Sequence, residues 1–201
     1  MKKFISPCLE TMLYENDKIQ NLDYHQKRFD ETRRVLFGDS SNISLDRYII
    51  PPKNRRLKIR VIYNKTILKV EYQNIQIKDF RHFVLVQSSM VYDFKYEKRD
   101  EINLLKKSFC KYDDIILCDK GMLKDTSIAN IAVKLNNAWY TPEKPLLRGT
   151  ARERLLDKGF LKKADLDIND LKKSSNFAIM NALIGFKEVN KGVFDVASSF
   201  E

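Results

Sequence analysis

The protein has 201 residues, of which 43% are hydrophobic, and it carries a formal net charge of +10. This length can bury a substantial core, in one compact unit or in two small lobes. Its apolar runs are far shorter than the roughly 20 residues of a membrane helix, and its N-terminus lacks the apolar stretch of a secretory signal. We therefore expect a cytoplasmic protein without a membrane span. The positive charge favours an anionic partner, which is either nucleic acid, an acidic surface or a small substrate.

Thiols and imidazoles are few in this chain. Cys8, Cys110 and Cys118 show no CxxC spacing, and only His25 and His82 accompany them. An odd number of widely separated cysteines does not indicate a disulfide framework, and the spacing does not match that of a zinc site. We expect neither in this protein.

The first predicted element is a helix. Leu22, Phe29 and Leu36 recur every seven residues, which is typical of an amphipathic helix with one apolar face. The pattern predicts a helix over residues 23–37, and Gly38 is the residue type that commonly ends one.

Strands are predicted next. Residues 57–63 alternate between apolar and mostly basic side chains, which predicts a half-buried strand with its charges on the outer face. A turn at Asn64 leads into a second strand over residues 66–72. Two further apolar segments are expected to extend the same sheet, at residues 75–77 and 83–86.

The second half of the chain mixes helices and short strands, and a second lobe is expected to begin near Ser88. A helix is predicted over residues 99–109. Short apolar segments bounded by turn residues predict strands at residues 115–118, around Leu123, and at residues 128–135 and 139–141.

The strongest local signal lies at Thr150. Thr150 and Glu153 have the spacing of a Ser/Thr-x-x-Glu capping box, which predicts that Thr150 caps a helix ended by Gly159. Gly149 stands just before this helix. Backbone N–H groups and the positive end of the helix dipole meet at such a start, which can hold a phosphate without any particular side chain. The alternative is a capping box that only begins the helix.

Several segments, in order, resemble the class IV aminotransferase family, and especially its aminodeoxychorismate lyase branch. These segments cover most of the chain: Glu10-Thr11, then residues 21–28, 58–63, 92–99, 125–131, 140–142, 145–150 and 181–185. The resemblance implies the α+β, two-lobed fold of the fold-type IV pyridoxal-phosphate enzymes, similar to D-amino acid aminotransferase. That fold has a smaller N-terminal α/β lobe, here residues 1–87, and a C-terminal β-barrel-like lobe with helices, here residues 88–201. It also implies a homodimer.

The resemblance implies that pyridoxal 5′-phosphate is the cofactor and that Lys95 binds it covalently. In the family, a lysine at this position holds the cofactor aldehyde, and its released amine moves protons at the substrate α-carbon. Such a lysine needs a lowered pKa, which burial beside apolar residues such as Phe94 would supply. Lys98 is the alternative if the register of the resemblance is shifted.

The resemblance also assigns the remaining cofactor contacts. Asp125 falls where the family places an acid against the pyridine nitrogen, although the usual residue is the longer glutamate. Such an acid keeps the ring protonated. The phosphate contacts fall on the Arg28 side chain, on the amides of Thr150 and Ala151, and on the turn at Asn181-Ala182. Many relatives carry a hydroxyl residue at the position of Ala182, which can offer only its N–H.

The function implied by the resemblance is a lyase that converts 4-amino-4-deoxychorismate to 4-aminobenzoate and pyruvate, in folate precursor synthesis. Its small, anionic amino substrate suits a positive chain, and Arg55, Arg56, Arg60 and Arg148 are loose candidates for its carboxylates. An amino-acid aminotransferase, of the branched-chain or D-amino-acid type, is the close alternative.

A nucleic-acid-binding module is the remote alternative, based on the basic residues between positions 53 and 60. The alternation over residues 57–63 explains these charges as the outer face of a strand.

The chain is shorter than typical family members, mainly in the first lobe, which normally supplies much of the substrate pocket. Which tyrosine contacts the cofactor ring or the substrate, Tyr92 or Tyr63, is left open.

Overall fold

The computed structural model describes residues 5–197, which divide into two units. The first unit contains residues 5–76 and the later segment Phe94–Arg99. The second unit contains Ile77–Asp93 and residues 100–197. The chain therefore enters the second unit, returns to the first for six residues, and then completes the second.

The first unit is an antiparallel sheet with one helix. Its elements are β1 (Cys8–Glu15), β2 (Lys18–Ile19), α1 (Leu22–Phe37), β3 (Leu57–Tyr63) and β4 (Ile67–Asn74), with a short 3-10 turn at Leu45–Arg47. The strand order in the sheet is β2-β1-β3-β4. The helix ends as predicted, because Gly38 adopts a left-handed φ of 64° and donates its N–H to the Arg33 carbonyl.

The core of the first unit lies on the face of the sheet that α1 covers. Its buried members come from β1, α1, the 3-10 turn and β3: Cys8, Met12, Tyr14, Phe29, Leu45, Ile49, Leu57, Ile59, Val61 and Tyr63. The odd-numbered residues of β3 all belong to this set, whereas Lys58 and Arg60 are only partly buried. The predicted strand and the outward position of its charges are confirmed.

The second unit combines a large sheet with three helices. Its elements are β5 (His82–Gln87), α2 (Asp100–Ser108), β6 (Asp114–Asp119), β7 (Met122–Thr126), β8 (Asn130–Leu135), β9 (Ala138–Pro142), α3 (Thr150–Asp157), β10 (Leu161–Ala164), α4 (Ile168–Lys173), β11 (Asn176–Asn181), β12 (Gly185–Glu188) and β13 (Val193–Val196). The strand order is β10-β9-β8-β7-β6-β5-β13, and β11 joins β8 to β12. No helix within residues 5–197 has both the length and the hydrophobicity that crossing a membrane requires.

Strands β5 and β6 run parallel and are buried on both faces. Phe83 and Leu85 enter one core cluster, whereas Val84 and Val86 enter another that includes apolar residues following α2. A strand with both faces covered cannot alternate between apolar and polar residues. This burial explains the continuous apolar runs in both strands.

The structure corrects two expectations for the first sheet, and it adds one strand to it. The strand β5 does not extend the first sheet, because it pairs with β6 in the second unit. Residues 75–77 lie outside any strand, since β4 ends at Asn74. The strand β1 was not predicted, because Cys8–Glu15 is buried on both faces and so lacks alternation. The division of the chain accordingly differs from a boundary at residue 87.

The predicted capping box at Thr150 is wrong. The residue that caps α3 is Gly149, which makes no side-chain cap, and Thr150 is the first helical residue. Glu153 instead accepts a hydrogen bond from Nη1 of Arg152 at 2.5 Å. A capping box does form at the start of α4, where Asp167 and Asp170 exchange side-chain-to-backbone bonds. Its aspartate at the third helical position departs from the usual Glu or Gln.

Candidate functional site

In the first unit, two basic side chains meet around the fully buried carboxylate of Glu10 on β1. Arg28 from α1 donates Nε–H to Oε1 at 2.8 Å and Nη2–H to Oε2 at 2.6 Å. His25, one helical turn earlier, places Nδ1 2.6 Å from Oε2. The two-pronged contact between guanidinium and carboxylate is the strongest geometry that an ion pair adopts.

The ionisation of this cluster follows from burial and charge. Burial alone would raise the pKa of Glu10, but the charge of Arg28 and the hydrogen bonds from His25 and Arg28 outweigh it and lower the pKa to about 2. Burial lowers the pKa of His25, with the Glu10 carboxylate acting in the opposite direction. Glu10 is therefore a carboxylate at neutral pH, and its negative charge is neutralised by Arg28.

Lys95 is fixed to the same strand through its backbone. The Lys95 carbonyl accepts a hydrogen bond from Leu9 N–H at 2.8 Å, and Cys8 forms an isolated β-bridge with Tyr96. The flanking side chains of Phe94 and Tyr96 pack against the core of the first unit. One strand thus carries Glu10 and also anchors the peptide of Lys95.

The environment of Lys95 favours an uncharged amine. Burial, followed by the positive charges of Arg28 and Arg99, lowers the pKa of Lys95 to about 7, and the negative charge of Glu10 opposes this only in part. An ordinary lysine, with a pKa near 10.4, is almost entirely an ammonium ion at neutral pH. Because only the uncharged amine attacks an aldehyde, Lys95 is suited to covalent chemistry near pH 7.

In the second unit, Asp125 lies at the end of β7 with both carboxylate oxygens engaged. Oδ1 accepts a hydrogen bond from Nδ2 of Asn130, and Oδ2 accepts one from Leu147 N–H, each at 2.8 Å. The same Asn130 amide also donates to the Leu147 carbonyl at 2.8 Å. Asn130 therefore links the acid to the loop that precedes α3.

Asp125 is almost completely buried, and its pKa reflects this. Burial raises the pKa to about 6, although the hydrogen bonds from Asn130 and Leu147 act in the opposite direction. The ionised form of a buried carboxyl group is stabilised when a positive charge lies close to it. It is therefore suited to hold a proton shared with a ring nitrogen.

The start of α3 adjoins this network. The first backbone bond of the helix runs from Glu153 N–H to the Gly149 carbonyl at 3.0 Å, so the amides of Thr150 and Ala151 lie before the first intrahelical donor. Thr150 is the first helical residue and not the cap. Amides in a first turn, together with the helix dipole, favour an anion.

Gly149 is required here by space. Its φ of −74° is ordinary, but a β-carbon on it would lie 2.0 Å from Oδ1 of Asn130. We expect Gly149→Ala to displace Asn130 from Asp125 and to cost roughly 1–3 kcal/mol of unfolding free energy, as overpacking does. Urea denaturation measures this cost.

The double variant Gly149→Ala/Asn130→Ala provides the control for that prediction. It removes the atom that clashes, so its cost should be smaller than the sum of the two single costs. Additive costs would show that the close approach of Gly149 to Asn130 does not limit the backbone at this position.

The turn at Asn181-Ala182 joins β11 to β12. The Asn181 side chain accepts hydrogen bonds from the amides of Leu183 and Ile184 at 2.9 and 3.1 Å and donates to the Ile128 carbonyl at 3.3 Å. Asn181 thereby shapes the turn and ties it to the loop between Asp125 and Asn130. Within the second unit, the predicted residues Asp125, Thr150, Ala151, Asn181 and Ala182 all belong to this connected region.

Each unit, taken by itself, holds groups of the kinds that pyridoxal phosphate needs. The first supplies an amine with a lowered pKa, Lys95, and a guanidinium, Arg28. The second supplies a buried acid, Asp125, and the helix start at Thr150. Within residues 5–197, no group of three or more His, Cys, Asp and Glu side chains is arranged to hold a metal ion.

Other residues named in the sequence analysis have structural partners. Arg56 and Arg60 pair with Glu15 and Glu71 at 3.0 and 2.6 Å. Tyr63 is fully buried in the core, with its ring 4.6 Å from that of Phe29. These contacts give Arg56, Arg60 and Tyr63 a structural role that does not require a ligand.

Three residues described above are not among the predicted site residues: Glu10, His25 and Asn130. Glu10 lies in a segment that resembles the family, but nothing in its sequence context indicates that it is buried. Asn130 was overlooked although it lies five residues after Asp125, and the two residues pair across β7 and β8. A short connection between two strands brings its ends together, so this spacing was a usable signal.

Comparisons with known proteins show the family. The family profile described as amino-transferase class IV matches residues 104–191. An uncharacterised protein from Haemophilus influenzae is 33% identical over 185 residues, which cover 89% of this chain and 98% of that protein. The chain belongs to the class IV aminotransferase family. As a member, it is a pyridoxal-phosphate-dependent enzyme, and the predicted family, fold type and cofactor are confirmed.

Solved structures of relatives share this fold. A candidate 4-amino-4-deoxychorismate lyase from Haemophilus somnus is 27% identical, with a TM-score of 0.82, covering 91% of this chain and 99% of that chain. A hypothetical aminotransferase from Mycobacterium tuberculosis, in its PLP-bound form, is 14% identical with a TM-score of 0.79 and coverages of 94% and 81%, which supports the fold alone. The short length of this chain is thus shared with the Haemophilus proteins.

Proposed function

We propose that this enzyme is a lyase that converts 4-amino-4-deoxychorismate to 4-aminobenzoate and pyruvate. The observation that supports this most is the similarity to the Haemophilus somnus protein described as a candidate lyase for that substrate, over 99% of its length. The substrate is a small anionic amine, and the net charge of +10 favours such a partner.

In this proposal, Lys95 is the catalytic residue. Its amine would hold the cofactor aldehyde and, when free, would act as general base and acid. A pKa of about 7 allows Lys95 both to accept a proton and to return it near neutral pH. Pyridoxal phosphate, when bound, withdraws electrons from the carbon that bears the substrate amine.

The other predicted residues bind and orient the cofactor. Asp125 holds the proton on the ring nitrogen, and Arg28 binds the phosphate through its guanidinium. The amides of Thr150 and Ala151 donate hydrogen bonds to the phosphate. Asn181 shapes the turn from which Ala182 offers its N–H.

The overall reaction requires only proton movements from these residues. A proton leaves the ring carbon that carries the amino group, and Lys95 Nζ takes it up. The C–O bond to the enolpyruvyl group breaks with its electron pair on oxygen, and the ring becomes aromatic. The enolpyruvate then gains a proton on its methylene carbon and becomes pyruvate, so no oxidant or second substrate is consumed.

The experiment that tests this function measures pyruvate release. Purified enzyme, loaded with pyridoxal phosphate, is mixed with 4-amino-4-deoxychorismate, and pyruvate is detected through lactate dehydrogenase and NADH. We expect pyruvate and 4-aminobenzoate in equal amounts without any keto acid. Turnover only with an amino acid and a keto acid would replace the lyase with an aminotransferase of the branched-chain or D-amino-acid type.

Three further expectations belong to the same proposal. The family resemblance implies a homodimer, a place in folate precursor synthesis and a cytoplasmic location. Size-exclusion chromatography with light scattering tests the first, because the chain has a mass of 23.7 kDa and a dimer would have twice that.

A further inference from the structure

Glu10 is a buried charged residue that has no role in the proposed mechanism. It has no exposed surface, lies on a central strand and holds Arg28 by two hydrogen bonds. Removing a carboxylate from water is costly, and replacing a buried ion pair by apolar residues is often neutral or stabilising. Its presence therefore calls for a reason other than stability.

The geometry of the contact indicates what Glu10 does to Arg28. Glu10 engages the edge of the guanidinium formed by Nε and one Nη2 hydrogen. Because the group is planar and its donors are rigidly spaced, fixing this edge also fixes the direction of the Nη1 edge. The Arg28 side chain is 16% exposed, so its guanidinium is held at the border of the core.

His25 orients Glu10 in turn. Its Nδ1 lies 2.6 Å from Oε2, the oxygen that also accepts from Arg28 Nη2. The histidine is fully buried and lies three residues before Arg28, on the same side of α1. The carboxylate therefore cannot rotate without breaking bonds on both sides.

We propose that Glu10 is a positioning residue that sets the orientation of the Arg28 guanidinium for the cofactor phosphate. This inference rests on the proposed role of Arg28 as a phosphate ligand. Glu10 touches neither cofactor nor substrate in this role, and it acts only through Arg28. Its loss should weaken recognition of the phosphate and leave recognition of the rest of the cofactor unchanged.

The test compares two ligands that differ only in the phosphate. Dissociation constants of pyridoxal phosphate and of pyridoxal are measured on the cofactor-free enzyme by fluorescence quenching. The ratio used here is the dissociation constant of pyridoxal divided by that of pyridoxal phosphate. It reports the contribution of the phosphate to binding. For Glu10→Gln, we expect this ratio to fall by about 10- to 100-fold, the range that corresponds to one charge-assisted hydrogen bond. General loosening of the fold would weaken both ligands and leave the ratio unchanged.

Two variants serve as companions to Glu10→Gln. Glu10→Asp keeps the charge but shortens the side chain, so it cannot reach both Arg28 and His25, and the ratio should again fall; it also serves if the glutamine variant fails to fold. Glu15→Gln is the matched control, because Glu15 lies on the same strand and pairs with the exposed Arg56 at 3.0 Å. Its ratio should equal that of the unmodified enzyme.

Arg28→Lys separates the inference from the proposed function. A reduced ratio in Arg28→Lys, with unchanged ratios in both Glu10 variants, would overturn the positioning role and leave Arg28 as a phosphate ligand. An unchanged ratio in Arg28→Lys as well would overturn the phosphate role of Arg28 and, with it, the inference. A reduced ratio in all three variants is the expected result.

Discussion

Lys95→Ala is expected to yield a protein that purifies without the visible absorbance band of covalently bound pyridoxal phosphate. Alanine cannot condense with the aldehyde, and it also removes the amine that moves the substrate proton. The loss of general acid-base catalysis alone typically reduces a rate by about 10²–10⁴-fold. Borohydride reduction followed by mass spectrometry measures the effect, because it leaves a pyridoxyl group on the lysine that held the cofactor.

Lys98→Ala is the matched control for this prediction. Lys98 lies three residues later in the same segment and is exposed, so its removal should change neither the band nor the rate. A pyridoxyl group found on Lys98 of the Lys95→Ala protein would shift the register of the resemblance.

Reduction of the unmodified enzyme across a pH series should give an adduct that forms well near pH 7, since the pKa of Lys95 is lowered to about 7.

Asp125→Asn should produce the second large loss. The substitution keeps the size of the side chain but removes the negative charge that would hold a proton on the ring nitrogen. The new amide also faces Nδ2 of Asn130, which already donates to this position at 2.8 Å. We expect turnover to fall by about 10²–10³-fold, the range found when a fixed electrostatic contact is lost. The absorbance spectrum of the bound cofactor should change as well.

Asp119→Asn tests whether that loss is specific to Asp125. Asp119 lies on β6 in the same unit, is 40% exposed, and approaches Lys124 only at 4.0 Å, so its charge should not matter for turnover. Asp125→Glu restores the residue that is usual in the family and should retain much more activity than Asp125→Asn. Equal activity in the asparagine and unmodified enzymes would remove Asp125 from the proposed site.

The sequence predicted those parts of the fold that follow from local periodicity. The helix ending at Gly38 and the strand Leu57–Tyr63 were found because each has one apolar and one polar face. The strand Cys8–Glu15 was not found, because burial on both faces removes the alternation. The partner of strand His82–Gln87 also depends on tertiary pairing that no local pattern records.

Site residues could be predicted only where the residue type and its position in a segment indicate a chemical role. Lys95, Asp125 and the helix start at Thr150 were identified through the resemblance, and their roles remain predictions. Glu10 is different, because a glutamate in a strand normally faces solvent. Its role depends on where α1 places His25 and Arg28, which is a property of packing.

The return of the chain to the first unit affects how the protein is assembled during synthesis. Residues 94–99, which carry Lys95, leave the ribosome only after strand β5 of the second unit has already emerged. The first unit therefore cannot be complete before part of the second unit has been synthesised. A fragment cut after residue 87 would lack Lys95, the proposed catalytic residue, and the remaining fragment would lack Arg28, the proposed phosphate ligand.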